Sequence, residues 1–194
     1  MKLHNLRVGP LGTNCYLVED ESTKDCLIID PGDSTEIIIK NLEDKGLQPV
    51  AIVITHGHWD HVGANKKLKE KYNIPIMMNE ADLFGLKITD SPPPDKSLKE
   101  NDEIKAGGLT FKILQTPGHS PGGISLYSAT EKVVFTGDTL FKGTFGRVDL
   151  PGSSPEAMVF SLQKLLALPH DTKVYPGHGR PTTIGEEQNL LLEP

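Results

Sequence analysis

The sequence has few cysteines and no long apolar run, and both shortages limit what the protein can be. Only Cys15 and Cys26 occur among 194 residues, at a spacing that matches no metal-binding or redox motif. We expect both to be small buried side chains in a reducing compartment rather than a disulfide. No apolar run reaches the ~20 residues needed to cross a bilayer, and the N-terminus lacks the apolar core of a signal peptide. These observations predict a soluble cytoplasmic protein without a membrane partner.

The chain also lacks an excess of positive charge. Its 20 basic residues are outnumbered by 26 acidic ones, for a formal net charge of −6, and no dense block of Lys and Arg occurs. Electrostatic attraction to nucleic acid phosphates is therefore not expected, and nucleic acid is not a predicted partner. A length of 194 residues favours one domain, which we predict to span residues 1–194.

Short apolar segments alternate with amphipathic ones along the chain. Helices are predicted at 34–45, 62–72 and 154–168, with Ser34 and either Ser153 or Ser154 as N-caps. The proline-rich stretch at 91–94 is predicted to be a surface loop. Strands are predicted at 14–19, 26–30, 50–55, 75–78, 109–115, 124–127, 133–136 and 173–175. Two halves that each mix strands and helix predict an α/β fold, namely a four-layer αββα sandwich with the functional site along one edge of the sheets.

The most informative segment is THGHWDHVG at 55–63. It places four side chains with metal-binding donors directly after the apolar run 50–54, namely His56, His58, Asp60 and His61. Imidazole nitrogen and carboxylate oxygen are donors that zinc-type cations favour. The pattern predicts a metal site at the end of a buried strand.

Three more candidate ligands follow apolar segments elsewhere in the chain. They are His119 in TPGHSPGG, Asp138 in FTGDTLF and His178 in YPGHGR. Either histidine alone would be an ordinary polar residue, but the three residues complete the cluster to a set of seven donors. Such a set suits two adjacent metal ions bridged by one carboxylate. His4 and His170 do not belong to such a set of candidate ligands and are predicted to be ordinary surface residues.

Two residues close to the cluster each allow two interpretations. Trp59 either faces the substrate or packs against the protein. Asp30, in the segment IIDPG, either accepts the second ring proton of a ligand histidine and so orients it, or forms a turn before Pro31 and Gly32.

With these motifs the chain resembles the metallo-β-lactamase superfamily. The HxHxDH motif of that family is present at 56–61, and IIDPG, THGHWDHVGA, TPGHSPGG, FTGDTLF and PGHG occur in the family's order over nearly the whole chain. The resemblance implies a first metal held by His56, His58 and His119. It implies a second metal held by Asp60, His61 and His178, with Asp138 as the bridge.

The bridging carboxylate also implies a branch of the superfamily. The true β-lactamases lack it, so Asp138 together with Asp60 points to the glyoxalase II-like branch, and GDTLFKGTFGRVDLPG looks like the small bacterial members of that branch. Full-size glyoxalase II enzymes have a C-terminal helical domain that supplies part of the glutathione site. Because the chain ends soon after His178, that domain is expected to be absent. Arg147 and Asp149 stand where those enzymes usually have lysine and tyrosine. Arg147 either holds a substrate carboxylate through a bidentate contact or forms a buried pair with Asp149.

The resemblance implies hydrolysis of a thioester, either hydroxyacylglutathione or a related small acyl thioester, by a metal-bound hydroxide. Two divalent metal ions are the expected cofactors, with zinc favoured and iron or manganese as alternatives. Asp60 is the candidate catalytic residue, because its carboxylate would orient the attacking water. Ser120 and Cys15 lack the sequence context of a nucleophile, so no covalent intermediate is expected.

A different reaction class is the alternative function. The GRxD element at 146–149 also looks like that of persulfide dioxygenases. Such an enzyme would hold one iron in a two-histidine, one-carboxylate site, here His56, His119 and Asp138. A binding or regulatory protein on the same fold is a third hypothesis, and the complete ligand set disfavours it.

Overall fold

The computed structural model describes residues 1–190 and contains two six-stranded sheets. The first sheet has the strand order β1 (Lys2–Val8), β2 (Thr13–Glu19), β3 (Asp25–Ile29), β4 (Gln48–Val53), β5 (Ile76–Met78) and β6 (Lys96–Ser97). The second has the order β7 (Glu103–Ala106), β8 (Leu109–Gln115), β9 (Ile124–Ser128), β10 (Val133–Gly137), β13 (Lys173–Pro176) and β14 (Thr182–Thr183). The strands β11 (Leu140–Phe141) and β12 (Thr144–Phe145) form a separate two-stranded hairpin. The helices are α1 (Thr35–Asp44), α2 (Trp59–Val62), α3 (Asn65–Tyr72), α4 (Pro155–Leu166) and a 3₁₀ helix (Glu80–Lys87). All eight predicted strands are present.

Three apolar clusters separate the layers. The cluster between the two sheets includes Leu27 and Val53 from the first sheet and Phe111 and Phe135 from the second. Residues of α1 and α3, among them Ile38, Leu42 and Leu68, cover the outer face of the first sheet, and Met158, Leu162 and Leu165 of α4 cover the second. The predicted four-layer αββα sandwich is confirmed. Within residues 1–190, no helix is both long and apolar enough to cross a membrane.

The helix starts follow the sequence prediction in one case and depart from it in another. Ser154 caps α4, because its hydroxyl accepts a hydrogen bond from the Ala157 N–H, and Pro155 occupies the first turn. Ser34 precedes α1 but adopts a left-handed conformation and makes no capping bond. Its hydroxyl instead accepts from the Gly9 N–H, at 3.4 Å, so the prediction of a Ser34 side-chain cap is wrong.

The helix predicted at 62–72 begins only at Asn65, and Val62 instead ends a separate short helix, a difference that bears on the function. The N–H groups of Gly63 and Ala64 donate to the carbonyls of Gly32 and Pro31, at 3.0 and 2.9 Å, so they are not available to continue a helix. As a result, α2 is a separate turn that carries part of the HxHxDH motif. The strand β1 was not predicted, because its residues follow no alternation of polar and apolar side chains and lie at the edge of the sheet.

The strand directions bring the motif loops to one edge. In the first sheet β3, β4 and β5 are parallel, and in the second β10 and β13 are parallel. Loops after parallel strands meet at the carboxyl edge of a sheet, which is where open α/β sheets bind their ligands. Main-chain bonds between the sheets hold the two edges together: the Ile124 N–H donates to Thr55 O at 2.9 Å, and the Asn14 N–H donates to Gly177 O at 2.7 Å.

Candidate metal centre

All seven predicted ligands lie at this shared edge. The HxHxDH segment follows β4, His119 follows β8, Asp138 follows β10 and His178 follows β13. His56 and His61 are buried almost completely, while His58 stands at the start of α2 and is partly exposed. The seven side chains form two groups of three with one carboxylate between them, and the donor atoms of His56, His61 and Asp138 also lie within 4.8 Å of one another.

The first ligand group consists of His56, His58 and His119, whose donor atoms all lie within 4.8 Å of one another. His58 Nδ1 and His119 Nε2 are 2.9 Å apart. Two imidazole nitrogens bound to one tetrahedral zinc ion would be separated by about 3.3 Å, given metal–nitrogen bonds of about 2.0–2.1 Å. The His58 and His119 nitrogens therefore have nearly the spacing that a single ion needs.

The second ligand group consists of Asp60, His61 and His178, again with all donor atoms within 4.8 Å. The Asp60 Oδ2 atom lies 3.2 Å from His178 Nε2 and 3.5 Å from His61 Nε2. Thr13 Oγ1 donates to the same carboxylate oxygen at 3.0 Å, which holds Asp60 in this orientation.

Asp138 lies between the two groups. Its Oδ2 atom is 3.6 Å from His119 Nε2 in the first group and 3.6 Å from His178 Nε2 in the second. Its Oδ1 atom is 3.7 Å from His61 Nε2. One carboxylate thus faces both groups, as a bridging ligand would.

The centre contains buried polar atoms that the protein leaves without partners. Among the described residues these include His56 Nε2, His61 Nε2 and Asp138 Oδ1. A buried polar atom without a hydrogen bond destabilises the folded protein by about 1–3 kcal/mol. Three such atoms close together therefore indicate that a ligand binds there. Imidazole nitrogens and carboxylate oxygens are the donors that divalent transition-metal ions take. The residues at this edge therefore fit metal ions.

Asp30 contacts His61, a member of the second group, at the ring nitrogen that faces away from the other ligands. Its carboxylate accepts three hydrogen bonds, from the Thr55 N–H at 2.7 Å, the Thr55 hydroxyl at 2.6 Å and His61 Nδ1 at 3.0 Å. A proton held on Nδ1 leaves Nε2 of the same ring free as a donor to a metal. Asp30 is also in a left-handed conformation, with φ of +50°, so it occupies a turn as well.

Burial and neighbouring charges shift the pKa values of the ligands in opposite directions. Burial and the adjacent histidines lower the pKa of His56, and burial together with His119 lowers that of His58 to about 4. Burial also lowers the pKa of His61, but Asp138 and Asp30 outweigh it and raise the value to about 9. His56 and His58 are therefore neutral at neutral pH, as metal ligation requires, whereas His61 would give up a proton on binding a metal.

Arg147 and Trp59 are both exposed. The Arg147 guanidinium binds Asp149 through two hydrogen bonds of 2.7 Å, but the side chain is 62% exposed. Of the two alternatives for Arg147, the pair with Asp149 is therefore present, but its expected burial is wrong. The Arg147 carbonyl accepts a hydrogen bond from His119 Nδ1 at 2.8 Å. Trp59 is 42% exposed, which disfavours the interpretation that it packs in the interior.

Sequence reasoning missed two residues that hold the ligand loops. The Asn14 amide donates to the carbonyls of Pro176 and Gly179, at 2.9 and 3.1 Å, on either side of His178. Asp82, in the 3₁₀ helix, is fully buried and contacts the loops of His58 and His119. No local motif marks either residue, because their partners are far away in the sequence.

The comparisons with known proteins agree with this architecture. A hydroxyacylglutathione hydrolase named GloC from Haemophilus influenzae is 37% identical, over 97% of this chain and 95% of that protein. Among solved structures, TTHA1623 in a di-iron-bound form matches with a TM-score of 0.86 and 40% identity, over 95% of this chain and 96% of that one. The BLEG-1 B3 metallo-beta-lactamase matches with a TM-score of 0.88 and 35% identity, over 97% of both chains. The profile of the metallo-beta-lactamase superfamily matches residues 8–178. The chain belongs to the metallo-beta-lactamase superfamily.

Proposed function

We propose that the protein hydrolyses small acyl thioesters at a centre of two divalent metal ions. The observation that carries the proposal is the position of Asp138, whose Oδ2 atom lies 3.6 Å from a ligand nitrogen of each group. The relative named hydroxyacylglutathione hydrolase supports hydroxyacylglutathione or a related thioester as the substrate.

The first ligand group would hold one ion and the second group the other, with Asp138 between them. Zinc is the favoured metal, because its preferred donors are those present here; the di-iron form of TTHA1623 supports iron as an alternative, and manganese is a further one. When bound, such ions lower the pKa of water to about 7 and polarise a carbonyl group.

Asp60 is the proposed catalytic residue of the chain. Burial raises its pKa, but the hydrogen bond from His178 and the charge of His61 outweigh it and lower the pKa below its usual range. Asp60 is therefore a carboxylate at neutral pH. Its oxygens can accept a hydrogen bond from a water molecule and so orient the lone pair of that water towards an acyl carbon. Thr13 limits the rotation of this carboxylate.

The substrate would enter beside the first group. The Phe84 ring packs edge-on against His58, with ring centroids 5.4 Å apart, and both Phe84 and Trp59 are 42% exposed. This aromatic surface suits the apolar part of a thioester. Arg147 is the candidate partner for a substrate carboxylate, for which it would exchange its bond to Asp149.

The first test compares His58→Ala with His170→Ala. His58 belongs to the first group, whereas His170 is exposed on the surface. We expect His58→Ala to lose bound metal and thioester hydrolysis while the circular dichroism spectrum stays that of the wild type, and His170→Ala to keep both. Unchanged hydrolysis by His58→Ala would refute the assignment of the site.

The second test separates thioester hydrolysis from other reactions on this fold. Two metal ions per chain and loss of a thioester at the same rate without oxygen would support the proposal. One iron per chain with sulfide-dependent oxygen uptake would instead support a persulfide dioxygenase that uses His56, His119 and Asp138. A β-lactam belongs in the same assay because of the similarity to BLEG-1, and faster turnover of the β-lactam than of every thioester would contradict the proposal.

A further inference from the structure

Asp82 is a buried carboxylate that the proposed reaction does not use. It lies in the 3₁₀ helix that follows β5 and is 0% exposed. Three donors surround its two oxygens: Oδ2 accepts from the Gly57 N–H at 3.0 Å and from the Ser120 hydroxyl at 2.6 Å, and Oδ1 accepts from the Gly122 N–H at 2.6 Å. A buried carboxylate needs such donors, since it has lost its hydration.

The positions of these donors connect Asp82 to the metal centre. Gly57 stands between His56 and His58, and Ser120 follows His119 directly. The carboxylate therefore joins the loop that carries two ligands of the first group to the loop that carries the third. The 3₁₀ helix also approaches the first loop closely, because a Cβ built on Gly57 would overlap the Asp82 carbonyl oxygen.

We propose that Asp82 is a positioning residue for the first ligand group, which it holds ready for a metal ion by fixing the distance between the His56–His58 loop and the His119 loop. The inference rests on the proposed metal centre. It assigns no such role towards the second group, because none of the three donors adjoins Asp60, His61 or His178. Residues that orient metal ligands typically change metal affinity by about 10–100-fold when they are replaced.

Asp82→Asn is the most informative substitution because it preserves the shape of the side chain while it replaces one acceptor oxygen by a donor NH₂ group. The Gly57 and Gly122 N–H groups can only donate, and they face different oxygens of the carboxylate. An asparagine offers one acceptor oxygen and one NH₂ group, so one of the two glycine amides must face another donor. Ser120→Ala is a milder variant, since it removes one of the three bonds and leaves both amide contacts in place.

The experiment measures metal affinity at each group separately. Cobalt(II) is titrated into the metal-free protein, with visible absorption as the readout, in two backgrounds: His178→Ala retains the first group, and His58→Ala retains the second. Asp82→Asn should weaken cobalt binding by about 10–100-fold in the His178→Ala background, with an altered absorption band, and by less than about threefold in the His58→Ala background. Ser120→Ala should weaken the first group by a smaller factor.

Glu187→Gln is the matched control. Glu187 is also a buried carboxylate that accepts from a glycine N–H and a hydroxyl, namely Gly143 at 2.8 Å and Thr182 at 2.6 Å, but these donors lie outside the ligand loops. The Glu187→Gln variant should leave the cobalt affinity unchanged in both backgrounds.

The possible results are distinct. Equal weakening of both groups by Asp82→Asn, or none at the first group, would overturn the inference while the two-metal proposal stands. If Asp82→Asn fails to fold, Ser120→Ala decides: a loss confined to the first group supports the inference, and no loss overturns it. A wild-type chain that binds no metal would overturn the proposed function itself.

Discussion

The contact between Asp30 and His61 leads to a prediction that the hydrogen-bond geometry makes quantitative. In Asp30→Asn, the remaining carbonyl oxygen must face the Thr55 N–H, which can only donate. The NH₂ group then takes the place of Oδ2, next to the Thr55 hydroxyl and His61 Nδ1. An amide that donates to Nδ1 moves the ring proton to Nε2. Nε2 is the His61 atom that faces Asp60 and Asp138, at 3.5 and 3.7 Å.

The expected consequence is a weaker metal site in a folded protein. A proton on His61 Nε2 removes one donor from the second group, and replacements of this kind typically cost about 10–100-fold in metal affinity, or about 1.4–2.8 kcal/mol. Asparagine tolerates the left-handed conformation at position 30 as well as aspartate does, so the backbone adds no strain. The first group should lose less affinity, because Asp30 reaches its ring nitrogens only through the Thr55 hydroxyl, which lies 3.2 Å from His56 Nδ1.

A competition titration with a chromophoric zinc chelator measures this change. Asp95→Asn is the control, since Asp95 also accepts from a backbone N–H, that of Ile76 at 2.8 Å, but at the amino end of β5 and away from the centre. Two zinc ions bound by Asp30→Asn with wild-type affinity would refute the reasoning from the ring tautomer.

Three further predictions concern the site and its surroundings. Gly32→Ala would place a Cβ on the carbonyl oxygen of Asp60, so we expect a loss of about 1–3 kcal/mol in the free energy of unfolding together with weaker metal binding at the second group; a wild-type urea midpoint would contradict this. Chelation of bound metal should lower the melting temperature, because a ligand at 100 times its Kd stabilises the folded state by about 2.7 kcal/mol, and a calorimetric scan that does not respond to the chelator would argue against a metal centre. Arg147→Ala should change the free energy of unfolding by less than about 0.5 kcal/mol, since its pair with Asp149 is exposed, and should raise KM at unchanged kcat; an unchanged KM would exclude Arg147 from substrate binding.

The fold could be predicted because most of its strands are short apolar segments, several of which are followed by Gly, Pro or Asp. The two wrong predictions of helix starts depend on contacts between distant segments. The helix predicted at 62–72 begins only at Asn65 because the carbonyls of Pro31 and Gly32 accept hydrogen bonds from the N–H groups of Ala64 and Gly63. Ser34 does not cap its helix because its hydroxyl is taken by Gly9, 25 residues earlier.

The sequence by itself determined which residues are candidate metal ligands, because donor type and position after an apolar strand are local properties. For example, the short segment 56–61 contains four of them, namely His56, His58, Asp60 and His61. The division of the seven donors into two groups was implied by the resemblance to a family, and only the tertiary structure supplies the distances within each group and the position of Asp138 between them. It also decided which residues hold these groups in place.

Asp82 and Asn14 illustrate the physical reason. The Asp82 side chain accepts from two main-chain amides and one hydroxyl of the ligand loops across 25 to 40 residues of sequence, and the Asn14 side chain donates to two main-chain carbonyls across 162 to 165 residues. A hydrogen bond requires donor and acceptor within about 3 Å in space, whatever their separation along the chain. Local patterns therefore identify the ligands, whereas the residues that orient them are set by how the two sheets pack together.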